Sequence, residues 1–148
     1  MSKHSIYNVA RYIVSSYMGD DLTSLKLQKL TYYCQAWSLA WDGSPLFDED
    51  FQAWSNGPVC VDLYKKHAKT FEIAKDFLSE SEVDNFTDSQ KETMNSVINY
   101  YGQKKAYELS SLTHNELPWI KARGDTPQGY PSNTIIEKEI MQEYYGGL

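Results

Sequence analysis

Residues 111–119 read Ser-Leu-Thr-His-Asn-Glu-Leu-Pro-Trp, placing hydroxyls, an imidazole and a carboxylate within nine positions. These are the ingredients of nucleophilic catalysis, in which a base activates a hydroxyl and an acid orients the base. A triad also needs its members to converge on one reacting atom, and side chains this close in sequence rarely do. The same residue types serve helix ends. Thr113 or Asn115 can cap a helix that Pro118 helps to start, with Trp119 packed beneath it. We therefore expect a structural role here, with a small hydrolase or transferase using His114 as the alternative.

Metal chemistry finds less support. His4, His67 and His114 are scattered, none forms an i, i+4 pair, and Cys34 and Cys60 lack CxxC spacing. Two buried free thiols fit a reducing compartment better than a disulfide does. His67 falls on an apolar helix face and reads as a hydrogen-bonded core residue. No Walker, Rossmann or GxSxG motif occurs, so no catalytic, cofactor or metal site is expected.

Fourteen basic residues against 20 acidic ones give a net charge of −6. That balance opposes nucleic-acid binding, which needs a basic face to displace counterions. The clusters Lys65-Lys66-His67-Ala68-Lys69 and Lys104-Lys105 are short and read as solvated helix faces. No apolar run approaches the ~20 residues of a membrane span, and residues 1–5 lack the apolar core of a signal peptide. A cytoplasmic protein is expected. Aromatic residues make up 14% of the chain, an enrichment that serves cores and interfaces alike.

The elements that would position these residues are mostly helical. Ile6, Val9, Ala10, Ile13, Val14 and Tyr17 step at helical spacing, with Gly19 as the stop. Thr23 or Ser24 can cap a second helix burying Leu27, Leu30, Cys34, Trp37 and Trp41 and ending at Asp42-Gly43. That helix is apolar over more than one stripe and is expected at the centre of the fold. Residues 46–54 read as a short hairpin or extended arm, after which Pro58 opens a helix carrying Val59, Leu63, Tyr64 and His67. The acidic residues 79–85 suggest a turn or short helix. Thr87-x-x-Gln90 and Ser89-x-x-Glu92 both match a capping box before Met94, Val97, Ile98 and Tyr101, and Gly102 interrupts that helix. Residues 125–131 form a loop, and a last helix led by Ser132 or Asn133 buries Ile136, Ile140, Met141 and Tyr144. The expected fold is mainly α, one compact multi-helix domain over residues 1–148 with at most a short β-hairpin around 46–54.

Several of these stretches carry a family resemblance. Lys26-Leu27-Gln28-Lys29-Leu30 with Tyr32-Tyr33-Cys34-Gln35-Ala36-Trp37 is followed by Gly43-x-Pro45-Leu46-Phe47, then by Ala53-Trp54-x-x-Gly57-Pro58-Val59 with Leu63-Tyr64. Further on come Leu109-Ser110-x-Leu112-Thr113-His114-x-Glu116-x-Pro118-Trp119. In this order the chain resembles the Panacea, or SocA-like, antitoxin family, which includes phage-associated GepA-like proteins. Ser38 stands after Trp37 where many relatives carry a histidine. The resemblance implies a mainly α antitoxin that neutralises a cognate protein toxin by direct contact. It also implies an adjacent toxin gene and an origin in bacteria, phages or other mobile elements. A phage protein that binds a host protein instead is the second possibility.

Binding residues favour loops held on a rigid scaffold. The expected partner surface therefore combines the arm at Phe47, Phe51 and Trp54 with the face near His114, Glu116 and Trp119.

Overall fold

The computed structural model describes residues 4–148. The signal-peptide reading at residues 1–3 lies outside the described residues. Helix α1 spans Ile6–Ser16 and α2 spans Ser24–Asp42. Thr23 starts α2 by accepting a hydrogen bond from the Lys26 N–H at 3.1 Å, and Gly43 ends it in the left-handed conformation, φ 69°. As its multi-striped pattern predicts, α2 is central: it packs against α1, α4 (Asp88–Tyr101), α5 (Ala106–His114) and α7 (Lys138–Gly146).

Helix α2 buries polar residues as well as Leu27, Leu30 and Cys34, and those side chains hold loop backbone in place. Gln35 donates to the Phe47 carbonyl and accepts from the Leu46 N–H, both at 2.8 Å. One turn pair earlier, Gln28 accepts from the Cys60 N–H at 2.9 Å and donates to the Cys60 carbonyl at 3.1 Å. Each amide thus pins an N–H and a carbonyl of a buried, irregular stretch of backbone. Gln28 also lies 3.0 Å from His67 Nε2, so His67 is the hydrogen-bonded core residue expected.

Those anchored loops lead into a small sheet. Strand β1 (Phe51–Trp54) turns through Ser55-Asn56 into β2 (Gly57–Val59), pairing Gln52 with Val59 and Trp54 with Gly57. Strand β3 (Ile135–Ile136) adds to the other side of β1, giving the order β2-β1-β3. A hairpin is present, but it lies at 51–59 rather than 46–54, and Pro58 belongs to β2, opposite Ala53, not to a helix. An edge strand accepts a proline because one side of it needs no ladder donor. Helix α3 accordingly begins at Val61 and runs to His67.

Other expectations shift for local reasons. Helix α1 stops at Ser16, before Gly19, because Tyr17 turns extended and its hydroxyl meets Lys26 and Asp21. Trp41 is 56% exposed at the far end of α2. Residues 79–85 form turns without a helix, and of the two candidate capping boxes Thr87 with Gln90 forms. Residues 132–134 run extended into β3, so α7 begins later than Ser132 or Asn133 would place it. In that phase Tyr145, not Tyr144, points inward. Helix α6 (Leu117–Arg123) has Glu116 at its N-cap position; Thr113 and Asn115 instead bond back into α5. Among the described residues no helix is long and apolar enough to cross a membrane.

Candidate functional site

The hairpin rests on α6, and their junction forms one face of the molecule. Trp119 donates its indole N–H to the Trp54 carbonyl at 2.9 Å. Arg123 donates to the Ala53 carbonyl at 2.9 Å and to the Pro127 and Tyr130 carbonyls at 2.9 and 2.7 Å, tying β1 to the 125–131 loop. The Arg123 guanidinium lies 4.8 Å from the Trp119 ring, and His114 stacks on that ring at 4.1 Å, 20° from parallel. His114 lines a cleft with Trp119, Arg123 and Gln128. Burial, then the positive charges of Lys29 and Arg123, holds the imidazole below its ordinary pKa, opposed by a hydrogen bond to the Ser55 backbone. Its Nε2 is buried without a partner. The ring is wedged between aromatic and cationic groups, and among the described residues no carboxylate aligns it as one aligns a triad base.

Glu116 points the other way. As the N-cap of α6 it has extended backbone, φ −110° and ψ 138°, which turns its side chain into the core rather than over its own helix. Its Oε1 accepts from Tyr33 at 2.8 Å and from Tyr145 at 2.7 Å. The Tyr145 hydroxyl lies 3.1 Å from that of Tyr32, and Tyr33 stacks on Tyr101 at 3.9 Å. Burial raises the Glu116 pKa, while the two phenols donating to it pull the other way. This is a carboxylate surrounded by donors, drawn from α2 and α7 to meet at the start of α6.

A third centre was not singled out in the sequence. Lys29, on α2, is fully buried, and its ammonium donates to the Pro58 carbonyl at 3.0 Å. Among the described residues no carboxylate lies within ion-pair range of it, the one such pair being Lys138 with Asp50 at 2.6 Å. Burial alone pushes its pKa down to about 7. Gly57 lies directly against it: a Cβ there would stand 2.5 Å from Lys29 Cε and 2.9 Å from Thr113 Oγ1, and φ of +111° favours glycine in any case. Nearby on α5, Thr113 bonds back to the Ser110 carbonyl at 2.7 Å and the Ser110 hydroxyl is buried without a partner. The one sequence signal for this centre is a lysine within a helix that is apolar over more than one stripe.

Of the residues expected at a partner surface, the structure brings Trp54, His114 and Trp119 together. Trp54 is half-buried, its indole bonded to Gln52 and its ring 5.1 Å from that of Tyr64. Phe47 and Phe51 are core residues, 0% and 2% exposed, with Phe51 edge-on to Tyr32 at 5.3 Å. They support the arm from beneath and present no surface of their own. Trp119 is 7% exposed and Glu116 belongs to the tyrosine centre. Among the described residues no group of three His, Cys, Asp or Glu side chains is placed to hold a metal ion.

Residues 27–120, from the first turn of α2 into α6, fit the family model described as antitoxin SocA-like, Panacea domain. No curated protein and no solved structure matches the chain.

Proposed function

Because this chain belongs to the SocA-like antitoxin family defined by the Panacea domain, we propose that it neutralises a cognate protein toxin by direct, stoichiometric contact. The observation that carries this reading is the extent of the match. It covers α2, the hairpin and α5 with the first half of α6, the parts that present the Trp54, His114 and Trp119 face and hold it rigid. The toxin gene lies next to the antitoxin gene, in a bacterial or phage genome, and the complex forms in the cytoplasm. Nucleic acid and membrane play no direct part, consistent with the net charge of −6.

Contact falls on the exposed rim of the hairpin–α6 junction, with Trp54 and His114 touching the toxin. Trp119, Phe47 and Phe51 hold that rim from below. Tryptophan is among the residue types in which binding energy concentrates at interfaces. Co-expression of this protein with the neighbouring open reading frame tests the reading. Rescue from toxicity with a stable complex on pull-down is the expected result. A toxic neighbour that this protein neither rescues nor binds would overturn it and favour a host-protein target. Within a functional pair, Trp54→Ala and His114→Ala should weaken the complex at least tenfold while far-UV circular dichroism stays unchanged. Full affinity in both folded variants would move the contact elsewhere.

A further inference from the structure

A groove runs between α2, α4 and α5. Trp37, Trp41, Tyr100 and Tyr101 line it together with the buried Glu116. Trp41 and Tyr100 are 56% and 63% exposed, the Trp37 and Trp41 rings stand 5.0 Å apart, and Trp37 donates its indole N–H to Tyr101 at 2.9 Å. The groove has a cavity volume of ≈510 Å³, room for a long side chain with part of its backbone.

Glu116 sets the chemistry. Its Oε1 is committed to Tyr33 and Tyr145. Its Oε2 has no hydrogen-bond partner among the described residues, yet it is absent from the side-chain atoms sealed from solvent without one, Ser110 Oγ and His114 Nε2. One carboxylate oxygen of a residue lining this aromatic groove is thus left without a protein donor among the described residues. Aromatic faces attract cations through their quadrupole, most strongly when desolvated, and an unpaired carboxylate oxygen adds a charge-assisted acceptor. An anion would meet both that oxygen and the net charge of −6. Tyr100 already carries one cation, the Lys104 ammonium 5.2 Å from its ring.

We propose that this groove receives a lysine or arginine side chain of a protein partner, its cation set between the aromatic walls and against Glu116 Oε2. The identity of that partner as the toxin rests on the antitoxin reading, whereas the cation preference does not.

The test titrates the whole protein with three blocked amino-acid amides, N-acetyl-lysine, N-acetyl-arginine and N-acetyl-norleucine methylamide, following the indole N–H resonances of Trp37 and Trp41. The cationic probes should shift them saturably, with norleucine at least tenfold weaker. Glu116→Gln should bring all three to the norleucine level. Because Glu116 is buried, Tyr100→Ala supplies a second variant on an exposed wall, and it should weaken the cationic probes severalfold with the fold unchanged. Equal response to norleucine, or none to any probe, overturns the site. In the toxin pair, Tyr100→Ala and Trp41→Ala should lower complex affinity at least tenfold. Full affinity in both overturns the partner assignment and leaves the antitoxin reading intact. If the wild type neutralises no toxin while the lysine probe still binds, the antitoxin reading falls and the cation site stands.

Discussion

Glu116 and Lys29 are both single ionisable groups removed from water against the central helix, and the protein treats them in opposite ways. Around the carboxylate it gathers phenolic donors from distant parts of the chain, Tyr33 on α2 and Tyr145 on α7, with Tyr32 behind them. Beneath the hairpin it leaves the ammonium with one carbonyl, no counter-charge among the described residues, and unpartnered polar atoms of Ser110 and His114 on the adjoining helix. A buried polar network stabilises when each member is satisfied; a charge with one neutral acceptor remains a net cost. The first centre therefore ties α2, α6 and α7 together through Glu116 Oε1, whose two phenolic donors offset part of the cost of burying the carboxylate. The second is a tolerated expense whose reason is positional: Lys29 props Pro58 from below, and Gly57 is what lets the hairpin settle on it.

Breaking the carboxylate centre should cost most. Tyr145→Ala removes a buried ring together with a donor to Glu116 and is expected to destabilise by ~4 kcal/mol. A loss under ~1 kcal/mol in urea denaturation would show that α7 is not held there. Gly57→Ala attacks the other centre by collision and by its positive φ, and about 3 kcal/mol should be lost. If that variant kept wild-type stability, the close approach of Lys29 would not be real. Lys29→Met sharpens the contrast because its sign is reversed. An apolar chain of similar length should gain ~2 kcal/mol at pH 6, since it deletes an uncompensated charge while filling the same volume. A destabilised Lys29→Met would mean that the bond to Pro58 outweighs the buried charge.

The comparison also has a pH signature. Lys29 has a folded pKa of about 7 against an ordinary 10.5, so between those values the unfolded chain holds more protons and stability climbs as pH rises. Below about 7 the penalty is complete. His67 and His114, also held below their ordinary value, act under pH 6.5. Cys34 and Cys60, pushed up by burial, work against stability once pH approaches the thiols' ordinary value of 9.0. The clean window for Lys29 is therefore about pH 7 to 9, where denaturation midpoints should rise in the wild type and stay flat in Lys29→Met; parallel curves would refute the assignment. Glu116 runs the other way: its pKa is raised, so stability falls as pH climbs from 4.5 through its folded value. The smallest change expected is in Tyr145→Phe, which keeps the ring and forfeits one donor to the carboxylate, costing ~1 kcal/mol.

Helices were legible because periodic apolar residues, a Thr23 cap and stops at Gly43 and Gly102 act locally. What escaped was decided by tertiary pairing. Pro58 reads locally as a helix opener, yet α2 claims both backbone groups of Cys60 and β1 claims Ala53 opposite Pro58, so the segment becomes an edge strand. Strand β3 was invisible because two residues carry no periodicity. At the face of Trp54, His114 and Trp119 the residue types suggested a binding site, and the structure brings those three together. The same reasoning placed Phe47 and Phe51 on that surface, because alternation with acidic residues cannot tell an arm's outer side from its inner one. Glu116 looked like a surface carboxylate until its tyrosine donors, one of them 83 residues earlier in the chain, were in view.

The tyrosine centre also sets an order of events during synthesis. Tyr32 and Tyr145 are 113 residues apart, and β1 waits for the distant Ile135–Ile136 strand to complete its sheet. Until the last helix has left the ribosome, Glu116 has half its donors, and the aromatic flank of α2 that α7 will cover stays open to water. Contacts this distant in sequence close late. Until α7 has emerged, a nascent chain therefore carries its central helix partly uncovered, a period in which chaperones and proteases have their best access to it.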